Sequence, residues 1–266
     1  MAEFSQASGD GMNPHFDILV PAFHAEAYIE RCLRSALTQE YDNFRVIFVD
    51  DHSADRTRDV GVATLREFVG KVRSRYWTTR ERMGILANHI DMMADHYCDP
   101  DAVAICLDGD DQLSHPGVLK HLAQVYGDPT VWCTYGSYEY DQESRNPNGD
   151  CLGISRQVPP ENHTRRAGWT SSHLKTFKVW LAQQIRREDL TFGGEWIDAA
   201  PDLALMLPMI EMAGPEHARF IPEILYLYNG RNPLNETKIK PAWVRVMTAE
   251  IMSRAVYPRL KERPIS

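Results

Sequence analysis

The strongest constraint on this chain is an alternation. Short apolar runs suited to buried strands take turns with segments whose apolar residues recur at helical spacing. Two of the runs end in acidic residues. Residues 16–20 (FDILV) form the first run, closed by Pro21. Across residues 25–39 the positions of Ile29, Leu33, Ala36 and Leu37 predict an amphipathic helix. Residues 44–49 (FRVIFV) lead into Asp50 and Asp51, and Ser53 is placed to cap a helix carrying Val62, Leu65, Phe68 and Val69 on one side. Residues 72–77 predict a third strand, and 84–96 a helix with Leu86, Ile90 and Met93 inward. Residues 102–107 (AVAICL) predict a fourth strand that runs straight into Asp108, Gly109, Asp110 and Asp111. Such a pattern with short connections predicts an α/β fold with a mostly parallel sheet covered on both faces. Ligands of such sheets sit beyond the carboxyl ends of the strands, so the two acidic clusters should face one crevice.

The second half is less regular. Residues 116–126 predict a helix and 131–140 an aromatic strand. Residues 141–168, rich in Pro, Asn, Gly and Arg, predict a long loop, with Arg156, Arg165 and Arg166 on a candidate lid. Residues 172–186 read as helical, as do 201–213, with a kink or early stop at Pro208. Residues 221–228 predict a last strand. Residues 240–260 predict a C-terminal helix with Trp243, Val246, Met247 and Ile251 along one side, free to pack on the core or on a second subunit of a homo-oligomer.

Composition narrows the partners. A formal net charge of −8 without a long Lys/Arg run argues against nucleic acid and anionic membranes as general partners. A phosphate-bearing ligand stays open, because a divalent cation reverses the local sign of a carboxylate site. No apolar stretch is long enough for a membrane span, and the first dozen residues read as a flexible tail rather than a secretory signal. Five widely spaced cysteines (Cys32, Cys98, Cys106, Cys133, Cys151) support neither a zinc site nor a disulfide framework, and fit reduced thiols in a cytoplasmic compartment.

The sequence LDGDD at 107–111 carries the clearest chemistry. A nucleoside diphosphate leaves poorly unless its developing charge is neutralised, which Mg2+ or Mn2+ on carboxylate oxygen does. Two aspartates one residue apart at a strand end can point into one crevice, with a glycine between them that lets a ligand approach the backbone. An acidic turn after a strand is the plain alternative. The stretch VPAFHAEAYIERCLRSALTQEYDNFRVIFVDDHSADRT, residues 20–57, together with LDGDD, closely resembles the family 2 glycosyltransferases, whose fold is GT-A. RERMGILANHI at 80–90 is similar to that family's intervening glycine and asparagine segment, with Arg82 for the first Asn and His89 before Ile90.

That resemblance implies a set of roles. Pro21, Ala22 and Phe23 would lie against the nucleotide base, with Glu26 near base or ribose, and Asp51 would accept a hydrogen bond from an imide such as that of uracil. Gly84 and Asn88 would join the nucleotide-sugar site. Asp108 and Gly109 would approach the ribose, and Asp110 would hold the metal, with Asp111 behind. In WTSSHLKTFK, residues 169–178, His173 would touch donor or acceptor and Lys175 a phosphate; a solvated helix start is the plain reading of both. Inverting transfer also needs a base for the acceptor hydroxyl, and the resemblance points to Asp202, with Asp198 as rival and a plain helix-start residue as the alternative. Arg231 is a candidate for neutralising the diphosphate, His217 a remote candidate for the metal against the plainer reading of a lone surface histidine, and Trp169 and Trp196 candidates for sugar stacking, with core packing the plainer reading of each. Asp55 fits a first-turn charge favourable to the helix dipole. The implied function is an inverting transfer of a sugar from a nucleotide-sugar donor, UDP-linked in preference, to a glycan or other hydroxyl acceptor. The implied enzyme is cytoplasmic, at most peripheral to a membrane. The expected layout is one GT-A domain, with a donor half over 16–112, an acceptor half over 113–235 and a helical extension over 236–266. A nucleotidylyltransferase is disfavoured because residues 20–28 (VPAFHAEAY) hold no glycine, and a dinucleotide oxidoreductase because no G-x-G-x-x-G follows the first run. A non-catalytic glycan- or partner-binding module stays as the second class.

Overall fold

A computed structural model describes residues 13–94, 98–141, 152–153 and 171–264. The expected lid arginines, Trp169, Cys151 and most of the expected tail lie outside the described residues. Thirteen strands are described: β1 (Phe16–Ala22), β2 (Phe44–Asp50), β3 (Arg73–Thr78), β4 (Val103–Cys106), β5 (Gln112–Leu113), β6 (Cys133–Gly136), β7 (Tyr138–Tyr140), β8 (Leu152–Gly153), β9 (Ser172–Lys178), β10 (Thr191–Phe192), β11 (Glu195–Trp196), β12 (Ala218–Ile221) and β13 (Tyr226–Tyr228). The helices are α1 (Ile29–Leu37), α2 (Thr57–Arg66), α3 (Ile85–Met92), α4 (Val118–Tyr126), α5 (Val179–Ala182), α6 (Pro201–His217), α7 (Glu236–Ile239) and α8 (Pro241–Ser253).

Seven strands form the central sheet in the order β12-β6-β9-β4-β1-β2-β3. All its neighbours pair in parallel except β9, which runs against both β4 and β6. Strand period explains the two-sided burial. In β1, Ile18 and Val20 join one core with α1, α2 and α4, while Leu19 joins the other with α3, α5, α6 and α8. Each such fully buried aliphatic or aromatic side chain contributes about 1.5–3 kcal/mol. A second sheet, β5-β13-β7-β8, packs beyond the carboxyl edge of the first half.

Several expectations need correction. Residues 172–178 form the reversed strand β9, not a helix: Leu174 enters one core and Phe177 the other, a period of two with polar residues buried between them. The run at 131–140 breaks at Ser137 into β6 and β7, and 221–228 resolves into the end of β12 and β13, each pair split between the two sheets. In α6 the recorded departure from helical torsions falls at Gly214 (φ 60°, ψ −174°) rather than at Pro208. Ser53 does not cap α2, which begins at Thr57; its hydroxyl accepts from the His24 amide at 2.9 Å instead. On α8 the buried positions are Met247 and Ile251, with Val244 packed beside them, while Trp243 and Val246 are exposed.

At the amino end of the sheet, Asp17 is fully buried and directly opposite Arg45, whose Nε and Nη2 donate to its two oxygens at 2.7 and 2.9 Å. Burial alone would raise this carboxyl; hydrogen bonds with His15 and Arg45 outweigh it and hold it below its ordinary value. A depressed carboxyl stabilises the fold fully above its unfolded value, and the contribution is lost as pH falls through the folded one. Asp17→Ala should therefore cost about 3–5 kcal/mol near neutral pH and lower the Tm by roughly 10 °C. The deficit should shrink in thermal melts taken at progressively acidic pH.

Candidate active site

The tips of β2, β1 and β4 are tied into one edge. The Asp51 amide donates to the Ala22 carbonyl at 2.8 Å, and the Gly109 amide to the Pro21 carbonyl at 3.1 Å. The two acidic clusters thus flank the last residues of β1, at one shared edge of the sheet. Gly109 is required by the close approach, since a Cβ there would stand 2.5 Å from the Ala22 Cβ and 2.9 Å from the Pro21 carbonyl oxygen. Gly109→Ala should displace the turn and lower stability by about 1–3 kcal/mol; thermal melts check this.

On the β2 side, the buried Asp51 carboxylate organises the loop before α3. Its oxygens accept from the Met83 and Gly84 amides, each at 2.8 Å, and from Thr79 Oγ1 at 3.2 Å. Gly84 has φ 87°, a torsion that favours glycine, and opens α3. Arg82, just before that anchor, lies 4.0 Å over the Phe23 ring, and Phe23 stacks on His24 at 4.0 Å. Glu26 accepts from the Arg56 amide at 2.8 Å and so ties the loop after β1 to α2. Asp55 lies before α2 rather than in its first turn, where the acidic residue is Asp59, and accepts from the Thr57 amide at 3.0 Å. One turn into α3, Asn88 is 1 % exposed with both polar side-chain atoms unpartnered.

On the β4 side, α1 clamps the acidic turn: Cys32 Sγ donates to the Asp108 carbonyl and Arg31 to the Asp110 carbonyl, both at 3.4 Å. The second sheet clamps it from the other direction. Tyr226 Oη and the Asn229 amide each donate to Asp111 at 2.6 Å, and Asn232 Nδ2 donates to Asp110 Oδ2 at 2.6 Å. Asp111 is buried and spent on these contacts, whereas Asp108 and Asp110 keep partial solvent access. Burial pushes all three carboxyls up; the Asp110 charge adds to it at Asp108 and Asp111, and the Asp141 charge at Asp110. Arg231 is exposed between the Asn229 and Asn232 anchors.

The floor of the crevice comes from β9 and α6. Lys175, in register with Cys106 at the end of β4, is 2 % exposed, and its Nζ stands 2.5 Å from Asp202 Oδ1. Asp202 sits in the first turn of α6 with 39 % of its side chain exposed. Burial alone would raise its carboxyl; Lys175 outweighs this and holds it well below the usual range. His173 and His89 border the pair, and burial, reinforced by the Lys175 charge, pushes them down to about 3 and about 4. Both are neutral near pH 7. The rival Asp198 is 59 % exposed and bound to Lys240 Nζ at 2.9 Å and Trp243 Nε1 at 2.7 Å. His217 stacks on Trp132 at the amino end of β6, the wrong end of the sheet for the acidic crevice. Trp196 is packed against the core with Arg187 4.5 Å over its ring.

Sequence reasoning missed His89, Tyr226, Asn229 and Asn232. It also missed three non-glycine residues with positive φ: His24 (48°), His52 (61°) and Ala200 (54°). Each adjoins a candidate position (Phe23, Asp51 and the start of α6), as stored strain tends to.

Among the described residues, no group of three His, Cys, Asp or Glu side chains is arranged to hold a metal ion unaided. Magnesium-type sites on nucleotides need only one or two carboxylates, with phosphate and water completing the shell. Asp110 with Asp108 beside it fits that requirement, since two crowded, half-buried carboxylates gain from a cation. No helix of the described residues is long and apolar enough to cross a membrane.

A mostly parallel sheet with one reversed strand, acidic at its carboxyl edge, is the GT-A class of fold. Solved structures agree: the mannosyltransferase PcManGT of Pyrobaculum calidifontis, in complex with GDP-Man and Mn2+, superposes with a TM-score of 0.65 at 18 % identity, over 93 % of this chain and 66 % of that one. Glucosyl-3-phosphoglycerate synthase of Mycobacterium tuberculosis, with Mn2+, UDP and phosphoglyceric acid, gives 0.59 at 14 % identity, over 91 % and 80 %. TarS of S. aureus with UDP-GlcNAc gives 0.59 at 17 %, over 82 % and 59 %.

Residues 17–187 match Glycosyl transferase family 2, and the chain belongs to that family. It is 26 % identical over 158 residues to the putative glycosyltransferase EpsH of Bacillus subtilis, covering 57 % of this chain and 42 % of that protein. It is 25 % identical over 162 residues to validoxylamine A glucosyltransferase of Streptomyces hygroscopicus subsp. limoneus, covering 58 % and 33 %. The chain thus spans less than half the length of these curated relatives.

Proposed function

We propose that the chain is an inverting glycosyltransferase that moves a sugar from a nucleotide-sugar donor, UDP-linked in preference, to an acceptor hydroxyl. The observation that carries this reading is the half-open Asp202 carboxylate, paired with Lys175 next to the end of β4, the strand that leads into Asp108 and Asp110. The donor's base lies against Pro21, Ala22 and Phe23, with Asp51 taking an imide N–H on a remaining lone pair. Glu26, Gly84 and Asn88 complete the wall, and Asp108 accepts from a ribose hydroxyl beside Gly109. Asp110, with Asp108 alongside, would hold Mn2+ or Mg2+, which when bound supplies positive charge to the departing diphosphate. Asp202 accepts the acceptor's hydroxyl proton as that oxygen bonds to the anomeric carbon. The bond from that carbon to the diphosphate oxygen breaks on the opposite face, which inverts the configuration. His173 borders the acceptor side. The UDP and UDP-GlcNAc in two of the structural neighbours support the UDP preference, while GDP-Man in a third keeps guanosine donors in the screen.

A panel of UDP- and GDP-sugars with Mn2+ tests the reading through nucleotide release and the anomeric configuration of the product by proton NMR. The expected result is UDP release with an inverted product. A retained configuration would contradict the mechanism, and tight nucleotide binding without turnover on any acceptor would leave a binding module.

A further inference from the structure

The Lys175 ammonium is almost wholly buried, a state lysine enters only when paired. Three elements converge on it. The reversed strand β9 brings it beside the last residue of β4, one step below Leu107 and Asp108. The strained Ala200 and then Pro201 deliver Asp202 at the start of α6, 2.5 Å from its Nζ. The side chain of His89 on α3 closes the third side, its Nε2 buried without a partner.

Among the described residues, the charged and titratable groups facing Asp202 are few. Lys175 and His173 come from β9, His89 from α3, Cys106 and Asp108 from the end of β4 and the turn after it, and Glu236 from α7. The Glu236 carboxylate accepts from the Ala200 amide at 3.1 Å and so braces the same corner. Both histidines are neutral, and the other groups are acids or a thiol. Among the described residues, Lys175 is therefore the positive charge that balances Asp202.

We propose that Lys175 is a positioning residue for Asp202, fixing the carboxylate in the crevice and keeping it anionic among neighbouring acids, rather than a ligand of the donor phosphates. This rests on the reading of Asp202 as the base. The contact engages one carboxylate oxygen, while 39 % of the Asp202 side chain stays exposed. Lysine serves here as a compact point charge.

Two neutral variants of the full chain, Lys175→Met and Lys175→Gln, test the proposal alongside Asp202→Asn. The acid limb of the kcat profile should move up by about one to two pH units in both, with donor KM within about twofold of the parent, and Lys175→Arg should bring the limb back. Carbon-13 carboxyl NMR of the metal-free protein reads the same quantity without turnover. The Asp202 resonance, identified by its loss in Asp202→Asn, should titrate higher by the same amount in whichever neutral variant folds. An unmoved titration would overturn the proposal, as would a raised donor KM with an unmoved limb, the mark of a phosphate ligand. Retained transfer in Asp202→Asn would defeat the base assignment instead, while the NMR titration would still decide whether Lys175 governs Asp202.

Discussion

Asp202→Asn should bind UDP and Mn2+ as the parent does and lose transfer by about a hundred- to ten-thousandfold. The substitution keeps shape and one acceptor oxygen, so the first turn of α6 and its contact with Lys175 can persist, but the amide takes no proton. Because Lys175 holds the Asp202 carboxyl low, the parent base is ionised throughout the neutral range. The loss should therefore be uniform between pH 6 and 8 rather than a shift of the profile. Asp198→Asn is the control, since its carboxylate is spent on Lys240 and Trp243 at the surface. Steady-state rates on both variants, with melts to verify folding, separate the two aspartates; collapse of transfer in Asp198→Asn alone would reverse the assignment.

The second large effect concerns Asp110. Calorimetry on Asp110→Ala should show UDP binding that no longer tightens when Mn2+ is added, a loss of about a hundredfold or more in the cation-dependent affinity, given that even an outer partner of a metal ligand is worth 10–100-fold. The cation-free affinity should change little, because Asp110 lends the nucleotide no other contact in this account. Of the cluster, Asp111 is buried beneath Tyr226 and Asn229 and is not free to replace it, and in the proposed function Asp108 is engaged with the ribose. Unchanged tightening in Asp110→Ala would move the cation elsewhere.

What the sequence revealed, and what it hid, follows from the range of the forces involved. The runs ending at Asp50 and Asp108 are apolar on both faces, and that pattern is local, so the parallel half and its shared acidic edge were legible. Strand β9 was not. Its buried His173, Lys175 and Thr176 make a polar sequence, and only the partners supplied by β4, β6 and α6 make burial of those groups tolerable. The same holds for the clamps on the acidic turn: Tyr226 and Asn232 reach Asp111 and Asp110 across more than a hundred residues, and no local periodicity encodes such a pairing. Ser53 was misread because a serine before a helix can serve either the helix or the neighbouring strand, and here the His24 amide had the stronger claim. The strained torsions of His24, His52 and Ala200 were equally silent, since each residue type gives no sign of left-handed backbone.

The proposed function requires the carboxyl ends of β1, β2 and β4 to gather base, ribose and cation in one place, with Asp202 across from them. A crystal structure of the chain with UDP and Mn2+ tests it most directly. The ion should lie about 2.1 Å from an Asp110 oxygen, the uracil beside Asp51 and Phe23, and Asp202 should face the diphosphate across open space. Nucleotide bound away from the tips of these three strands, or an ion with no bond to Asp110, would contradict it.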